Sequence, residues 1–404
     1  MTQWILHSVI ILTIAIWGNQ YFKSSLNATT YYSALIMKLA AGVTLGLIFK
    51  YYYTTGDTFT FFDQAVTFSQ LPTNQYLTEL FTSSNYEVTN SPRVLFFTKF
   101  LSFFALITNH SYWISTLYLS LISFFCSCIV VRELTSIYSN LRHIIIISFL
   151  YVPTIVFWSA GLLKGTLAFS ALSVLIAYAI STYKLGEWQW KKILIGLLAI
   201  FVLFKVKHYL LITFILFIGI LAFLVLIRKN KRTKIAAIVV LILAAGATQL
   251  IHPYLRIDRL KQTLYDNNQA ISQKTDAIDR LDIQLADPDV RSLLKVLPSS
   301  IKTGLFRPSI FDRTPFWGWL HKIENTLLSV LCIFSLLLLI KEKPYIDWKL
   351  VIAGIAAIMI LSTMLAMSTP NFGTLVRYKN PMMPYFFLLV SALPYTHFTS
   401  HREE

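Results

Sequence analysis

Long, nearly uninterrupted runs of apolar residues divide this chain, and they constrain its fold more than any motif does. They lie at 4–17 (extended by Tyr21 and Phe22), 34–53, 112–131, 144–160, 166–183, 193–204, 210–227, 235–251, 327–340, 350–367 and 382–393. A helix needs ~20 apolar residues to cross a ~30 Å hydrocarbon layer, and these runs approach or reach that length. They are continuous and do not alternate, which excludes a membrane β-barrel. With 56% of residues hydrophobic and 13% charged, the chain is too apolar for a cytosolic enzyme, a disordered segment or a disulfide-stapled secreted domain. The expectation is an all-α, polytopic transmembrane helix bundle of about eleven spans, with outer-face loops that contain surface-lying helices. The run at 4–17 reads as a span and not a signal peptide, because no Lys or Arg precedes it and no small-residue cleavage site follows.

Basic residues in the short connections set the orientation. With the N-terminus outside, the inner connections hold fifteen Lys and Arg, among them Arg132, Arg142, Lys191, Lys192 and the five within 228–234, whereas the short outer ones hold five: Lys164, Lys205, Lys207, Arg377 and Lys379. That asymmetry puts the C-terminus in the cytoplasm. Two long segments, 54–111 and 252–326, then fall outside. The chain is accordingly organised as an N-terminal transmembrane region 1–251 with the outer loop 54–111, an outer-face loop 252–326, and a C-terminal transmembrane region 327–404. In the first loop Ser91-Pro92 starts a helix over 93–108 that carries Lys99 and is expected to lie on the outer surface. In the second, Leu260, Leu264, Ile271, Ile278, Leu281 and Leu285 recur at spacings that predict a long amphipathic helix over 255–286, ended by Pro288.

The net charge of +16 does not signal nucleic-acid binding, because its densest run, 228–234, sits between two apolar stretches as a cytoplasmic loop would. Cys126 and Cys128 are two apart on one helix and point to opposite sides, so they do not share a metal. All acidic residues fall outside the apolar runs, and no broken helix is evident, so the usual mark of an ion-coupled transporter is missing. Lys38 and Lys50 are read as close enough to the ends of their span to snorkel.

Chemistry is therefore expected at the outer rim. Asp57, next to Gly56, follows directly on the second span, and Asp63 lies six residues on, about 120° from overlay on a helix. An equally weighted reading makes Asp57 the cap of a helix over 59–68. Cations gather on the same side: Lys164 in the turn 159–165, then Lys205, Lys207 and His208, then Arg307, Arg313, Arg377 and Lys379. Positive charge on short outer turns runs against the insertion rule, and an anionic lipid headgroup supplies a reason for it. Arg offers a planar fork to phosphate oxygens and Lys a mobile point charge. The stretch 304–319, rich in Arg and aromatic residues, suits sugar stacking or an ordinary interfacial belt. His110, His208, His252 and His321 have no metal-site spacing, and the role of a divalent metal is left open.

An Asp in the first long outer loop, just after an early span and before a surface-lying helix, resembles the GT-C class of polytopic membrane glycosyltransferases, which use polyprenyl-phosphate-linked sugars. The segments 157–164 and 372–379 are similar to ones in bacterial membrane proteins placed near polysaccharide loci. The resemblance implies that Asp57 takes a proton from the acceptor hydroxyl, with Asp63 as second candidate, and that some of Lys164, Lys205, Lys207, Arg307, Arg377 and Lys379 hold the lipid phosphate. It implies a bacterial plasma membrane location, membrane lipid and a polyprenyl-phosphate-linked sugar as partners, and a glycan, lipid or protein acceptor. The alternatives are an O-antigen-type polymerase or ligase, and a flippase or exporter of a lipid-linked glycan.

Overall fold

A computed structural model of the chain describes residues 2–53, 57–82, 92–227, 257–276, 278–314, 318–342 and 346–400. Gly56, Ser91, the basic stretch 228–234 and the apolar run 235–251 lie outside the described residues. Among those described there is no strand, only an isolated antiparallel bridge between Arg280 and Asn371. Seven helices are long and apolar enough to cross a membrane, so the chain is a helical, multi-pass membrane protein. It divides into two compact units, Met1–Leu211 and Ile212–Glu404.

The first unit is built from α1 (Thr2–Phe22), α2 (Ala28–Tyr51), α3 (Asp57–Ser69), α4 (Thr73–Phe81), α5 (Pro92–Ile107), α6 (Tyr112–Ile137), α7 (Arg142–Leu150), α8 (Pro153–Trp158), α9 (Lys164–Leu185) and α10 (Trp190–Val206), and the division between units falls early in α11 (His208–Leu226). Its centre is the pair α6 and α9. Lipid gives two helices no hydrophobic reason to associate, so small residues that admit close approach matter most. Thr116, Ser120, Ser123 and Ser127 on α6, and Thr166, Ser170, Ser173 and Ser181 on α9, are all buried. Half of these hydroxyls are satisfied within their own helix: those of Thr116, Ser120, Ser127 and Ser170 donate to the carbonyl four residues back at 2.8–3.1 Å, so polar side chains line the seam at little cost.

Two expectations fail in this unit. The run 144–160 is not one span: it breaks at Tyr151-Val152-Pro153 into α7 and α8. Pro153 has no N–H and pushes Val152 out of the helical region, to ψ 115°, so the helix stops and restarts. The run is thus an interrupted helix. Lys38 does not snorkel: it lies midway along α2 and is 3% exposed. The acidic residues do lie outside the apolar runs, but a helix can outlast its run. α6 continues to Ile137, and the buried Glu133 within it accepts from Lys192 at 2.6 Å, while Lys192 also donates to Ser181 at 2.9 Å. That ion pair ties α6, α9 and α10 together at one end. The helix expected over 59–68 begins earlier, with Asp57 in its first turn, and 93–108 is helical as α5.

Downstream of the division come α12 (Ile257–Lys274), α13 (Val290–Phe306), α14 (Trp319–Glu342), α15 (Trp348–Ser368), α16 (Phe372–Lys379) and α17 (Met383–Ser400). The long helix expected over 255–286 ends at Lys274. Leu281, Ile283 and Leu285 are buried at every second position, the period of extended chain, not of a helix. What holds them is a side chain: Asn268 on α12 donates to the Ile283 carbonyl at 2.9 Å and the Met367 carbonyl at 2.7 Å. The Leu281 N–H donates to Pro370 O at 3.1 Å and the Phe372 N–H to Asp279 O at 2.9 Å. Asp289 then caps α13 by accepting from the Ser292 N–H at 2.6 Å, as a short acidic side chain does at a helix start. α13 crosses α15 at Gly304, where a Cβ would lie 2.2 Å from the Ser362 carbonyl oxygen.

Candidate functional site

In the first unit the candidates meet at one end of the bundle. α3 places Asp57 in its first turn, exposed to solvent, where the helix dipole favours a carboxylate. Asp63 follows on the same helix, and partial burial pushes its carboxyl above its ordinary value. Lys164 opens α9, and its amine stands 4.5 Å from the centre of the Phe61 ring on α3. Phe61 packs edge-on against Phe97 of α5 at 5.7 Å, and the adjacent Phe96 against Phe201 of α10 at 5.8 Å. Lys205, in the last turn of α10, lies 5.8 Å over that same Phe201 ring. Lys207 is buried, 5.8 Å over Tyr209, and His208 opens α11 within electrostatic reach of Arg93 on α5.

Lys164 thus stands on a ring of the helix that carries both carboxylates, and α5 joins that helix, through Phe97, to the Phe201 ring under Lys205, through Phe96. Aromatic faces attract cations and hold them without neutralising their charge. Such an arrangement can bind an anion beside a carboxylate.

The cations of the second unit are engaged differently. Arg307, at the end of α13, grips Asp312 with Nε at 3.0 Å and with a guanidinium nitrogen, and stacks 5.2 Å over Phe372. Asp312 also accepts from the Ser309 N–H at 2.6 Å and the Ser309 hydroxyl at 3.0 Å. Burial alone would raise its carboxyl, but Arg307 and Ser309 outweigh that and hold it below its ordinary value. Much of the Arg307 fork is therefore spent inside the chain.

Lys379, 1% exposed, donates to the carbonyls of Gly304 at 3.1 Å, Leu305 at 3.3 Å and Arg307 at 3.1 Å. Those are the orphan carbonyls at the end of α13, and three of them match the three N–H groups of an ammonium. Burial pushes the amine down to about 7, while the carbonyls pull the other way, and the donor count favours the charged form. Lys379 is a helix cap with no N–H left for a phosphate. Arg313 is exposed, and Arg377 lies 5.6 Å over its neighbour Tyr378.

Two residues outside the sequence-derived set belong in this description. Arg93 is the first charge after the Pro92 that opens α5, and that position was its only signal. Lys38 was visible as a charge inside an apolar run. What the sequence did not show is that it reaches the turn after α8, donating to the Ser159 hydroxyl and, at 3.5 Å, to the Val156 carbonyl. Lys99 does the same for α4, donating to the carbonyls of Glu79 and, at 2.6 Å, Thr82.

Among the described residues no three His, Cys, Asp or Glu side chains are grouped so as to hold a metal ion. No family model matches the chain, and neither a curated protein nor a solved structure matches it.

Proposed function

We propose that the protein is a membrane glycosyltransferase that moves a sugar from a polyprenyl-phosphate-linked donor to a glycan, lipid or protein acceptor at the outer face of a bacterial plasma membrane. In this reading the chain crosses the membrane about eleven times, with its N-terminus outside and its C-terminus cytoplasmic. Lipid phosphate is a competent leaving group, so the reaction asks for a base to deprotonate the acceptor and for cations to stabilise charge developing on phosphate. One observation carries the reading: Asp57 and Asp63 share a helix whose Phe61 ring lies 4.5 Å from the Lys164 amine. Asp57 is the base in this scheme, Asp63 the alternate, and Lys164, Lys205 and Lys207 take the phosphate.

Replacing Asp57→Asn abolishes sugar transfer from a polyprenyl-phosphate donor while the protein remains folded. Full activity in that variant removes the assigned base.

The break between α7 and α8 and the buried Lys38 favour a second reading, a flippase or exporter of a lipid-linked glycan, since interrupted helices and interior charges line transport paths. Purified protein that binds the lipid donor and yields no new glycosidic product supports it over the transferase.

A further inference from the structure

An uncompensated charge in the middle of a span is costly in lipid, so a lysine there has to do something a methionine would not. On α2, Lys38, Gly42, Leu45 and Phe49 follow one another at helical spacing and are all buried. That stripe faces the turn that joins α8 to α9. At its start Lys38 donates to Ser159 and Val156, and its amine lies 5.1 Å from the centre of the Phe169 ring on α9.

One turn on, Gly42 admits the irregular backbone closely: a Cβ there would meet the Ser120 hydroxyl at 2.2 Å and the Gly161 nitrogen at 3.3 Å. Gly161 itself is left-handed, with φ 69°, and its N–H donates to Ser120 at 2.9 Å. The carbonyls of Ala160 and Gly161 both accept from Thr166 at 3.0 Å. Leu163 packs on Leu45 and Phe49, with Phe59 of α3 against the same cluster. The next residue is Lys164.

Non-helical backbone survives at membrane depth only where protein satisfies it; here Ser120 takes the Gly161 N–H, and the Lys38 amine anchors the start of the turn through the Ser159 hydroxyl and the Val156 carbonyl. We propose that Lys38 is a positioning residue: it fixes the turn between α8 and α9, and so sets where Lys164 stands against Phe61 and the carboxylate-bearing α3. This rests on the lipid-phosphate role given to Lys164 above.

The test uses the full-length protein in lipid nanodiscs, with a polyprenyl monophosphate as the probe, and compares Lys38→Met, Ser159→Ala, Lys164→Ala and the Lys38→Met/Lys164→Ala double variant. Ser159→Ala takes away the acceptor and leaves Lys38 and its packing in place, so the question stays answerable if Lys38→Met fails to fold.

By hydrogen–deuterium exchange, amides of residues 160–166 exchange about tenfold faster in Lys38→Met and Ser159→Ala, while those of α10 do not change. Affinity for the polyprenyl phosphate falls about tenfold in Lys38→Met, and adding Lys164→Ala costs much less there than it does in the wild type, because the two changes disable one element. Unchanged exchange in both turn variants overturns the inference, as do effects of Lys38→Met and Lys164→Ala that simply multiply. Faster exchange combined with wild-type binding by Lys164→Ala fails differently: it shows that Lys38 holds the turn, removes the lipid-phosphate reading, and takes the positioning role with it.

Discussion

Gly304→Ala exposes how the second unit is held together. The added Cβ would sit 2.2 Å from the Ser362 carbonyl oxygen, 2.5 Å from its carbon and 3.0 Å from its Cβ. Ordinary contact begins near 3.4 Å, so α13 has to withdraw by 1.2 Å, the difference between 3.4 and 2.2 Å. Its last carbonyls move with it, and those of Gly304, Leu305 and Arg307 already lie 3.1–3.3 Å from the Lys379 amine. A withdrawal of that size takes most of these hydrogen bonds beyond useful length and leaves a buried amine short of acceptors. Overpacking costs ~1–3 kcal/mol and stranding a buried polar group ~1–3 kcal/mol more, so the expected loss is about 3 kcal/mol or greater. Denaturant unfolding in mild detergent, followed by tryptophan fluorescence, measures it. Because the clash is with backbone, Ser362→Gly does not rescue the variant. A loss below about 1 kcal/mol, or full rescue by Ser362→Gly, refutes the close crossing of α13 and α15.

Other consequences are open to the same kind of measurement. Glu133→Ala leaves the amine of Lys192, which is 14% exposed, without its carboxylate, and is expected to cost about 2–3 kcal/mol in thermal or denaturant unfolding. Asn268→Ala removes both carbonyl contacts that seat 281–285 and is expected to cost about 2 kcal/mol, with faster amide exchange over 281–285 as the local sign. The depressed carboxyl of Asp312 contributes stability that is present above its ordinary value of 3.8 and is lost as pH falls through its lower folded value. Protection factors at 307–312, which correct for the intrinsic pH dependence of amide exchange, therefore fall in acid below that range and stay flat from there to neutrality.

The parts of the fold legible in the sequence are those set by apolar length alone. The runs 34–53, 112–131, 166–183, 210–227 and 350–367 each became a helix of comparable position, because an apolar stretch of that length has one good way to satisfy its backbone in lipid. What was not legible depended on side chains meeting across the fold. The register of 281–285 is set by Asn268, some fifteen residues away, so helical spacing in the sequence pointed the wrong way. The break at Pro153 was readable in principle, since proline disfavours helix at the residue before it, but the surrounding apolar residues concealed it.

For the candidate site, residue type gave no means of separating cations by their tasks. Lys164 and Lys205 rest on rings, Arg307 is paired, and Lys379 closes a helix, yet all four read alike as basic residues at outer turns. Only the acceptors around each amine distinguish them.

The broken segment from α7 through the turn at 159–163 bears on how the chain enters the membrane. Lys38 from α2 donates to its Val156 carbonyl and Ser159 hydroxyl, and Ser120 from α6 accepts its Gly161 N–H, so on its own it offers lipid polar groups without those partners. Both donors of that help are made earlier by the ribosome and can already stand in the bilayer when the segment emerges from the insertion machinery. Order of synthesis and order of assembly coincide here, and a circular permutant that delivered α2 last would insert that segment before the Lys38 amine could reach the Val156 carbonyl and the Ser159 hydroxyl.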